Sequence, residues 1–159
     1  MPKSIIPVVN RQKDTKIEIR RVRIDDISAI AEIEKKSYPE PWSQNLFERE
    51  LQIKFSNFFA AIKDCEIIGY VCFWTVSDEG QITNITVKEK FRRKGIGSRL
   101  MKYIMDISYA KKIKKMFLEV RAQNYPASKF YEKFGFKKIG LRKKYYSNTD
   151  DAVVMAKTL

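Results

Sequence analysis

One segment of the chain decides the fold: Ile85-Thr86-Val87-Lys88-Glu89-Lys90-Phe91-Arg92-Arg93-Lys94-Gly95-Ile96-Gly97-Ser98-Arg99-Leu100. It opens with a β-branched run, passes through charged residues and two glycines, and then takes on a helical period. The apolar positions that follow Ile96 share one face of a helix: Leu100, Tyr103, Ile104 and Ile107. The segment therefore predicts a strand, a tight basic turn and the start of a helix.

The turn has the chemistry of a phosphate-binding site. Gly95 and Gly97 can adopt positive φ angles and allow a ligand to approach the backbone closely. The first N–H groups of a helix lack partners, and the helix dipole there favours anions. Arg92, Arg93 and Lys94 add positive charge. The turn is therefore expected to hold a phosphate or pyrophosphate through the backbone and side chains of residues 92–98, which include Ile96 and Ser98.

The motif narrows the choice of phosphate ligand. No Walker A string occurs, and a dinucleotide fingerprint would need a third glycine after Gly97. The string R-x-x-G-x-G from Arg92 to Gly97, directly after a strand, resembles the acetyl-coenzyme A pyrophosphate loop of the GNAT acetyltransferase superfamily. On this string alone, a solvated basic turn in which Gly95 merely starts a helix is an equal alternative.

Composition bounds the class of protein. The 159 residues, 44% hydrophobic and 13% aromatic, favour one folded domain. We predict an N-terminal extension over residues 1–15 and a single domain over residues 16–159. No apolar run is long enough for a membrane span, and the first residues lack the apolar core of a signal peptide, so a cytoplasmic location is expected.

The chain has no histidine and two cysteines. We expect Cys65 and Cys72 to be reduced core residues, and we expect no metal site. Triads that use histidine are excluded, so a general base must be a carboxylate, tyrosine, lysine or cysteine. The net charge of +13 favours an anionic partner, which could be nucleic acid, a ribosome surface or a polyanionic cofactor.

The remaining patterns predict a single α+β domain with the order β-α-α-β-β-β-α-β-α-β-β. Asp25 and Asp26 are expected to cap the first helix, and Ser43 the second. Strands are expected at Phe58 to Ile62, Ile67 to Val76, Gln81 to Val87, Lys115 to Arg121, Phe136 to Tyr145 and Asp151 to Ala156, after a first strand that begins at Lys16. The order mixes antiparallel meanders with one parallel crossover.

A second set of residues carries chemistry. In the strand at 117–121, Glu119 and Arg121 share the face opposite to the aliphatic residues. Asn124, Ser128 and Tyr131 then share one helical face. The strings Leu118-Glu119-Val120-Arg121-Ala122-Gln123-Asn124 and Phe130-Tyr131-Glu132-Lys133-Phe134-Gly135-Phe136 resemble RimI-type N-terminal protein acetyltransferases. Pro41-Trp42-Ser43 and Arg142-Lys143-Lys144-Tyr145-Tyr146 match that pattern too, so the resemblance covers roughly Ile17 to Leu159.

This resemblance implies a GNAT fold of about seven strands and four helices, with the fourth and fifth strands splayed apart. It implies acetyl-coenzyme A as co-substrate, with Ile85, Thr86 and Val87 in contact with its pantetheine arm. The basic turn would bind its pyrophosphate, and Asn124 would contact another part of the coenzyme. It implies Glu119 as general base and Tyr131 as general acid. We expect Tyr38, Tyr145 and Tyr146 to line the groove for the acceptor peptide. Each of these side chains could instead be an ordinary strand, core or rim residue.

The implied reaction is acetylation of protein N-termini, including those of ribosomal proteins. The chemistry is compatible, since at pH 7 roughly 10% of an α-amine is neutral, against well under 0.1% of a lysine. Two alternatives stay open: acetylation of lysine side chains or small amines, and a basic ribosome- or RNA-binding module without enzymatic activity. We expect no membrane partner and no specific nucleic acid, because no nucleic-acid-binding motif is recognisable.

Overall fold

The computed structural model describes residues 16–147 and 149–159, so the predicted N-terminal extension lies outside the described residues. In this part of the chain there are seven strands and four α-helices, as predicted. The strands are β1 (Glu18–Arg21), β2 (Ser56–Lys63), β3 (Glu66–Val76), β4 (Glu79–Val87), β5 (Lys115–Arg121), β6 (Lys137–Tyr146) and β7 (Asp150–Thr158). The helices are α1 (Ile27–Ser37), α2 (Gln44–Glu50), α3 (Ile96–Ala110) and α4 (Tyr125–Lys133).

The strands form one mixed sheet in the order β1-β2-β3-β4-β5-β7-β6. β4 and β5 are parallel, whereas the other neighbouring strands pair antiparallel. A parallel pair needs a crossover connection, and α3 supplies it. The predicted α+β class with one parallel crossover is therefore confirmed.

β4 and β5 separate halfway along their length. Residues Glu79 to Ile82 pair with Lys115 to Leu118, and the pairing stops there. At the same level the register of β4 against β3 shifts, so that Thr83 has no partner between Ile82 and Asn84. A bulge of this kind bends a strand, which explains why the end of β4 leaves β5. The predicted splaying is confirmed, and it opens the sheet between its two faces.

Helices cover both faces of the sheet. On one face, α3 buries Ile96, Leu100, Met101 and Ile104 in a core that also contains Tyr131 of α4. On the other face, α1 and α2 contribute Ile27, Ile30 and Phe47 to a second core with alternate residues of β2 and β3. None of the helices in residues 16–147 and 149–159 is long and apolar enough to cross a membrane.

Two local expectations were wrong. Cys72 is a free, fully buried thiol, but Cys65 is free and exposed. Asp64 and Cys65 both have positive φ, at 50° and 63°, so they form the tight turn of the β2–β3 hairpin, where the side chains point to solvent. The side chain of Asp26 does not accept a later N–H of α1; its carboxylate accepts the backbone N–H of Arg23 at 2.7 Å and pairs with Arg20.

Candidate active site

The basic turn presents a row of free backbone donors. Gly95 is the N-cap of α3 with φ 81°, and Arg93 also has a positive φ of 58°. No side chain caps the helix, and the N–H groups of residues 93–98 bond to none of the described residues. Successive free N–H groups at a helix start bind anions well.

The surroundings of the turn also fit a diphosphate. A Cβ on Gly95 would meet nothing within 4 Å, so the turn is open to a ligand. Arg93 and Lys94 are exposed and free to turn towards an anion. The side chain of Ile96 is buried in the core, so only its backbone can contact a ligand.

Arg92 has a different environment from its neighbours. Its Nε donates to the carbonyl of Val87 at 2.9 Å, and its terminal nitrogen donates to Ser37 Oγ at 3.1 Å. The guanidinium therefore ties the end of β4 to the end of α1. This contact braces the turn and leaves less of the Arg92 side chain for a phosphate.

At the end of β4, some backbone N–H and C=O groups point into the opening between β4 and β5. Lys88 donates its N–H to Ile68 on β3, and successive residues of a strand point in alternate directions. The backbone groups of Val87 and Ile85 therefore point away from β3, to the side that β5 has left. Their N–H groups can bond to a ligand that lies along β4.

Glu119 lies on the open face of β5. Its neighbours Leu118 and Val120 are buried in the core under α3 and α4, so alternation directs Glu119 to the opposite face. Its side chain is 17% exposed, and its Oε1 lies 3.2 Å from Arg142 Nε on β6. The carboxylate also raises the pKa of the Tyr145 hydroxyl, because it bonds to that hydroxyl and would repel a phenolate.

Tyr131 lies on α4 and is 9% exposed. Burial raises its pKa, and the neighbouring Tyr38 and Tyr146 raise it further. Tyr38 follows α1 on the other face of the sheet, so the two tyrosines approach each other across the opening between β4 and β5. Every fully buried polar side-chain atom in the described residues has a hydrogen-bond partner, whereas the Tyr131 hydroxyl bonds to none of those residues. That hydroxyl is therefore not fully buried.

Tyr145 and Tyr146 end β6 beside Glu119. Tyr145 is 48% exposed, and Tyr146 is partly buried with Arg121 stacked 4.3 Å from its ring centre. Burial raises the pKa of Tyr146 to about 12, and the charge of Glu119 contributes to the rise. Both tyrosines remain protonated at neutral pH, so they can offer hydrogen bonds and apolar ring surface to a substrate.

Asn124 is the N-cap of α4. Its Oδ1 accepts the backbone N–H of Ala127 at 3.2 Å. The side-chain amide keeps its Nδ2 donor for a ligand.

Sequence reasoning missed a buried polar network behind this site. Glu34 on α1 is 2% exposed and accepts hydrogen bonds from the hydroxyl of Tyr70, from Asn84 Nδ2 at 3.0 Å and from the backbone N–H of Trp42 at 3.1 Å. A signal was present in the sequence, because Glu34 lies seven residues after Ile27 and four after Ile30, on the same helical stripe. A glutamate on an apolar stripe predicts a buried, partnered carboxylate.

A further groove on the described surface lies away from this site. It has a volume of about 840 Å³ and lies between β1, α1 and the β2–β3 hairpin. None of the residues predicted for the site lines it. Its charged walls are paired with each other, as in Arg20 with Asp26 and Lys88 with Glu66. Within residues 16–147 and 149–159, no cluster of side chains is suited to hold a metal ion.

Comparisons with known proteins agree with this geometry. The family model described as Acetyltransferase (GNAT) family matches residues 27–136. The chain is 36% identical over 147 residues, 91% of its length and 97% of the relative's, to a Bacillus subtilis (strain 168) protein provisionally named ribosomal protein bS18-alanine N-acetyltransferase. It is 33% identical over 165 residues, 96% of its length and 99% of the relative's, to an N-alpha-acetyltransferase of Saccharolobus solfataricus.

A solved structure shares the fold. The crystal structure of the ribosomal-protein-S18-alanine N-acetyltransferase from Escherichia coli superposes with a TM-score of 0.84 at 27% identity. The match covers 90% of this chain and 94% of that one.

Proposed function

Because the chain belongs to the acetyltransferase (GNAT) family, we propose that it transfers the acetyl group of acetyl-coenzyme A to the free α-amino group of protein N-termini, by direct attack in a ternary complex. The observation that carries this proposal is the opening between β4 and β5. Free backbone N–H groups of the basic turn and of β4 border this opening. Tyr38, Tyr131 and Tyr146 are neighbours at the opening, and Glu119 lies beside Tyr146.

The chain offers a complete set of contacts for the coenzyme. The backbone of residues 93–98, with Arg93 and Lys94, would hold the diphosphate. The N–H groups of Ile85 and Val87 would bond to the arm, and Asn124 Nδ2 would donate to it further along. Bound acetyl-coenzyme A would supply the thioester carbonyl that an amine attacks.

Two side chains fit the proton transfers. Glu119 is partly exposed on the acceptor side and can take a proton from the amine, directly or through a water. Tyr131 is protonated at neutral pH, has Tyr38 and Tyr146 as neighbours, and would give a proton to the leaving group. Tyr38, Tyr145 and Tyr146 border the acceptor side, where they would contact the first residues of a peptide.

The preference for an α-amine follows from its acidity. An N-terminal ammonium has a pKa of about 8 and a lysine ammonium of about 10.4. At pH 7 the difference in the free energy of deprotonation is about 3 kcal/mol in favour of the N-terminus. A weak base such as Glu119 therefore suffices for an N-terminus.

The names of the relatives suggest the class of acceptor. The Bacillus subtilis and Escherichia coli proteins are named for an alanine of a ribosomal protein, and the Saccharolobus protein is named an N-alpha-acetyltransferase. We propose that newly made proteins in the cytoplasm, with ribosomal proteins among them, are the substrates.

Mass spectrometry of paired peptides tests the function. One peptide has a free N-terminus and no lysine, and its partner has a blocked N-terminus and one internal lysine. Incubation with acetyl-coenzyme A is expected to add an acetyl group only to the first. Acetylation of only the blocked peptide would favour a lysine acceptor. Absence of acetylation, together with salt-sensitive RNA binding, would favour the non-enzymatic alternative.

A further inference from the structure

The buried carboxylate of Glu34 fixes the direction of a chain of hydrogen bonds that ends at Tyr38. The backbone N–H of Trp42, the hydroxyl of Tyr70 and the Nδ2 group of Asn84 all donate to the oxygens of Glu34. The Nδ2 group of Asn84 is one of these donors, so the orientation of this side-chain amide is determined by the carboxylate.

The directions of the Asn84–Thr86 and Thr86–Tyr38 hydrogen bonds follow from the number of protons that each side chain can donate. With Nδ2 on Glu34, the Oδ1 of Asn84 faces Thr86 and can only accept, at 2.9 Å from Thr86 Oγ1. Thr86 has a single hydroxyl proton, and this bond uses it. The Thr86 oxygen, which is 2.9 Å from the Tyr38 hydroxyl, must therefore accept from Tyr38.

The hydroxyl of Tyr38 can therefore only accept a further hydrogen bond. Its one proton is directed at Thr86 Oγ1, and the carbonyl of Ile85, at 3.4 Å, is likewise an acceptor that competes for the same proton. The hydroxyl lies at the opening, since the Ile85 carbonyl turns away from β3 and Tyr131 is a neighbour. A ligand that bonds to this oxygen must bring a donor.

The geometry points to the Tyr38 hydroxyl oxygen as an acceptor for an N–H of the substrate's amine, with Glu34, Asn84 and Thr86 as positioning residues that keep the Tyr38 proton turned away. This inference rests on the proposed function, in that it assigns a contact to the acceptor amine. The relay keeps the oxygen's lone pairs turned towards the opening before the amine binds, so no reorientation of Tyr38 is needed.

A double-mutant cycle between Tyr38 and Thr86 tests the relay. Tyr38→Phe is expected to raise the KM for an alanine-initiated peptide about tenfold, since hydrogen bonds to charged groups are the stronger ones. Thr86→Val is expected to raise it by a smaller factor, whereas Thr86→Ser keeps the hydroxyl and stays within about twofold of the wild type. The KM for acetyl-coenzyme A is expected to stay unchanged in Tyr38→Phe.

The double variant gives the decisive comparison. If Thr86 acts only through Tyr38, adding Thr86→Val to Tyr38→Phe causes no further loss. If the two effects multiply, Thr86 acts by another route and the relay is refuted.

A binding measurement separates recognition of the amine from packing of the ring. The probe is the same peptide with propionyl in place of the first alanyl residue, which removes the nitrogen. Tyr38→Phe is expected to weaken binding of the amine peptide about tenfold and to leave binding of the desamino peptide unchanged. Equal weakening of both peptides would overturn the inference.

Failure of the proposed function would be visible in the wild type alone, as absence of acetylation of any free N-terminus. The same variants are then assayed with the lysine or small-amine acceptor that the wild type does acetylate. The variants are expected to show the same relative losses with that acceptor, because the proposed contact is with an amine N–H. If the wild type acetylates no amine and the calorimetric affinity for the amine peptide does not depend on Tyr38, the inference is wrong.

Discussion

The guanidinium of Arg142 lies 3.2 Å from the carboxylate of Glu119, although β7 separates their two strands in the sheet. This ion pair holds the proposed base against the edge strand that also carries Tyr145 and Tyr146. The base, the aromatic side of the acceptor groove and the last hairpin of the chain therefore form one unit.

Replacement of the Glu119 carboxylate by an amide is expected to remove the base without changing the size of the side chain. In Glu119→Gln, kcat with a free-amine peptide should fall by about a hundredfold or more. Glu132→Gln is the matched control, because Glu132 is exposed on α4. Steady-state kinetics of both variants give the result, and a Glu119→Gln enzyme with more than half of the wild-type kcat would exclude the assigned role.

Tyr131 is expected to stay protonated well into the alkaline range. Burial disfavours the phenolate and raises the pKa of Tyr131 above its usual value of 10.0. A general acid works while it is protonated, so the fall in kcat due to its ionisation should lie above pH 10. Tyr131→Phe should lower kcat about ten- to a hundredfold across the profile, whereas Tyr109→Phe, at an exposed position of α3, should not. A descending limb centred below pH 9 that disappears in Tyr131→Phe would contradict this assignment.

Gly95 is expected to be required for the shape of the turn. An alanine at φ 81° costs about 1–2 kcal/mol in backbone strain, although its Cβ would meet no neighbour within 4 Å. Gly95→Ala should lower the free energy of unfolding by about 1 kcal/mol and weaken coenzyme A binding about tenfold, since the amides would lose their common direction. Gly140→Ala on β6 is the control, because that site is equally open and lacks a positive φ. Calorimetry that finds equal affinities for both variants would argue against an anion site at the turn.

Glu34 is expected to contribute strongly to stability. Glu34→Ala leaves the buried donors of Tyr70, Asn84 and Trp42 without their acceptor, at a cost on the order of 3–5 kcal/mol. Glu32, two residues earlier on α1, is exposed, so Glu32→Ala should change stability by less than about 0.5 kcal/mol. Urea unfolding measures both, and a loss below 1 kcal/mol for Glu34→Ala would mean that the network is not a stabilising element.

The two thiols are expected to differ in reactivity. Cys65 is exposed, whereas burial raises the pKa of Cys72 to about 12, so Cys72 has almost no thiolate at pH 8. Iodoacetamide should modify Cys65 in the native protein and both cysteines after unfolding. Peptide mapping reads the sites, and rapid native modification of Cys72 would indicate that β3 is more open than this packing allows.

The sequence was sufficient to predict which face of an element is buried wherever apolar residues recur with a helical or strand period. The spacing of Ile96, Leu100 and Ile104 predicted the buried face of α3, and the alternation of Leu118 with Glu119 predicted which face of β5 packs in the core. Both signals come from neighbouring residues, and burial against the rest of the chain reinforces them.

Contacts between distant segments could not be predicted in the same way. The hydroxyl of Tyr38 and Oγ1 of Thr86 are 48 positions apart, and the sheet register brings them together. The separation of β4 from β5 was inferred from a family resemblance, since the bulge at Thr83 has no glycine or proline to announce it. Cys65 was expected in the core, although it lies between two predicted strands and next to Asp64 and Glu66. The structure places it in the tight turn of the β2–β3 hairpin.

Diffraction from a crystal of the protein with a covalent coenzyme A–peptide adduct would test the central claim most directly. The account predicts that diphosphate oxygens lie about 3 Å from N–H groups of residues 93–98. It also predicts that the first nitrogen of the peptide lies within hydrogen-bond reach of Tyr38 and, directly or through one water, of Glu119. A diphosphate bound elsewhere, such as in the groove beside β1, or a nitrogen remote from both side chains, would contradict it.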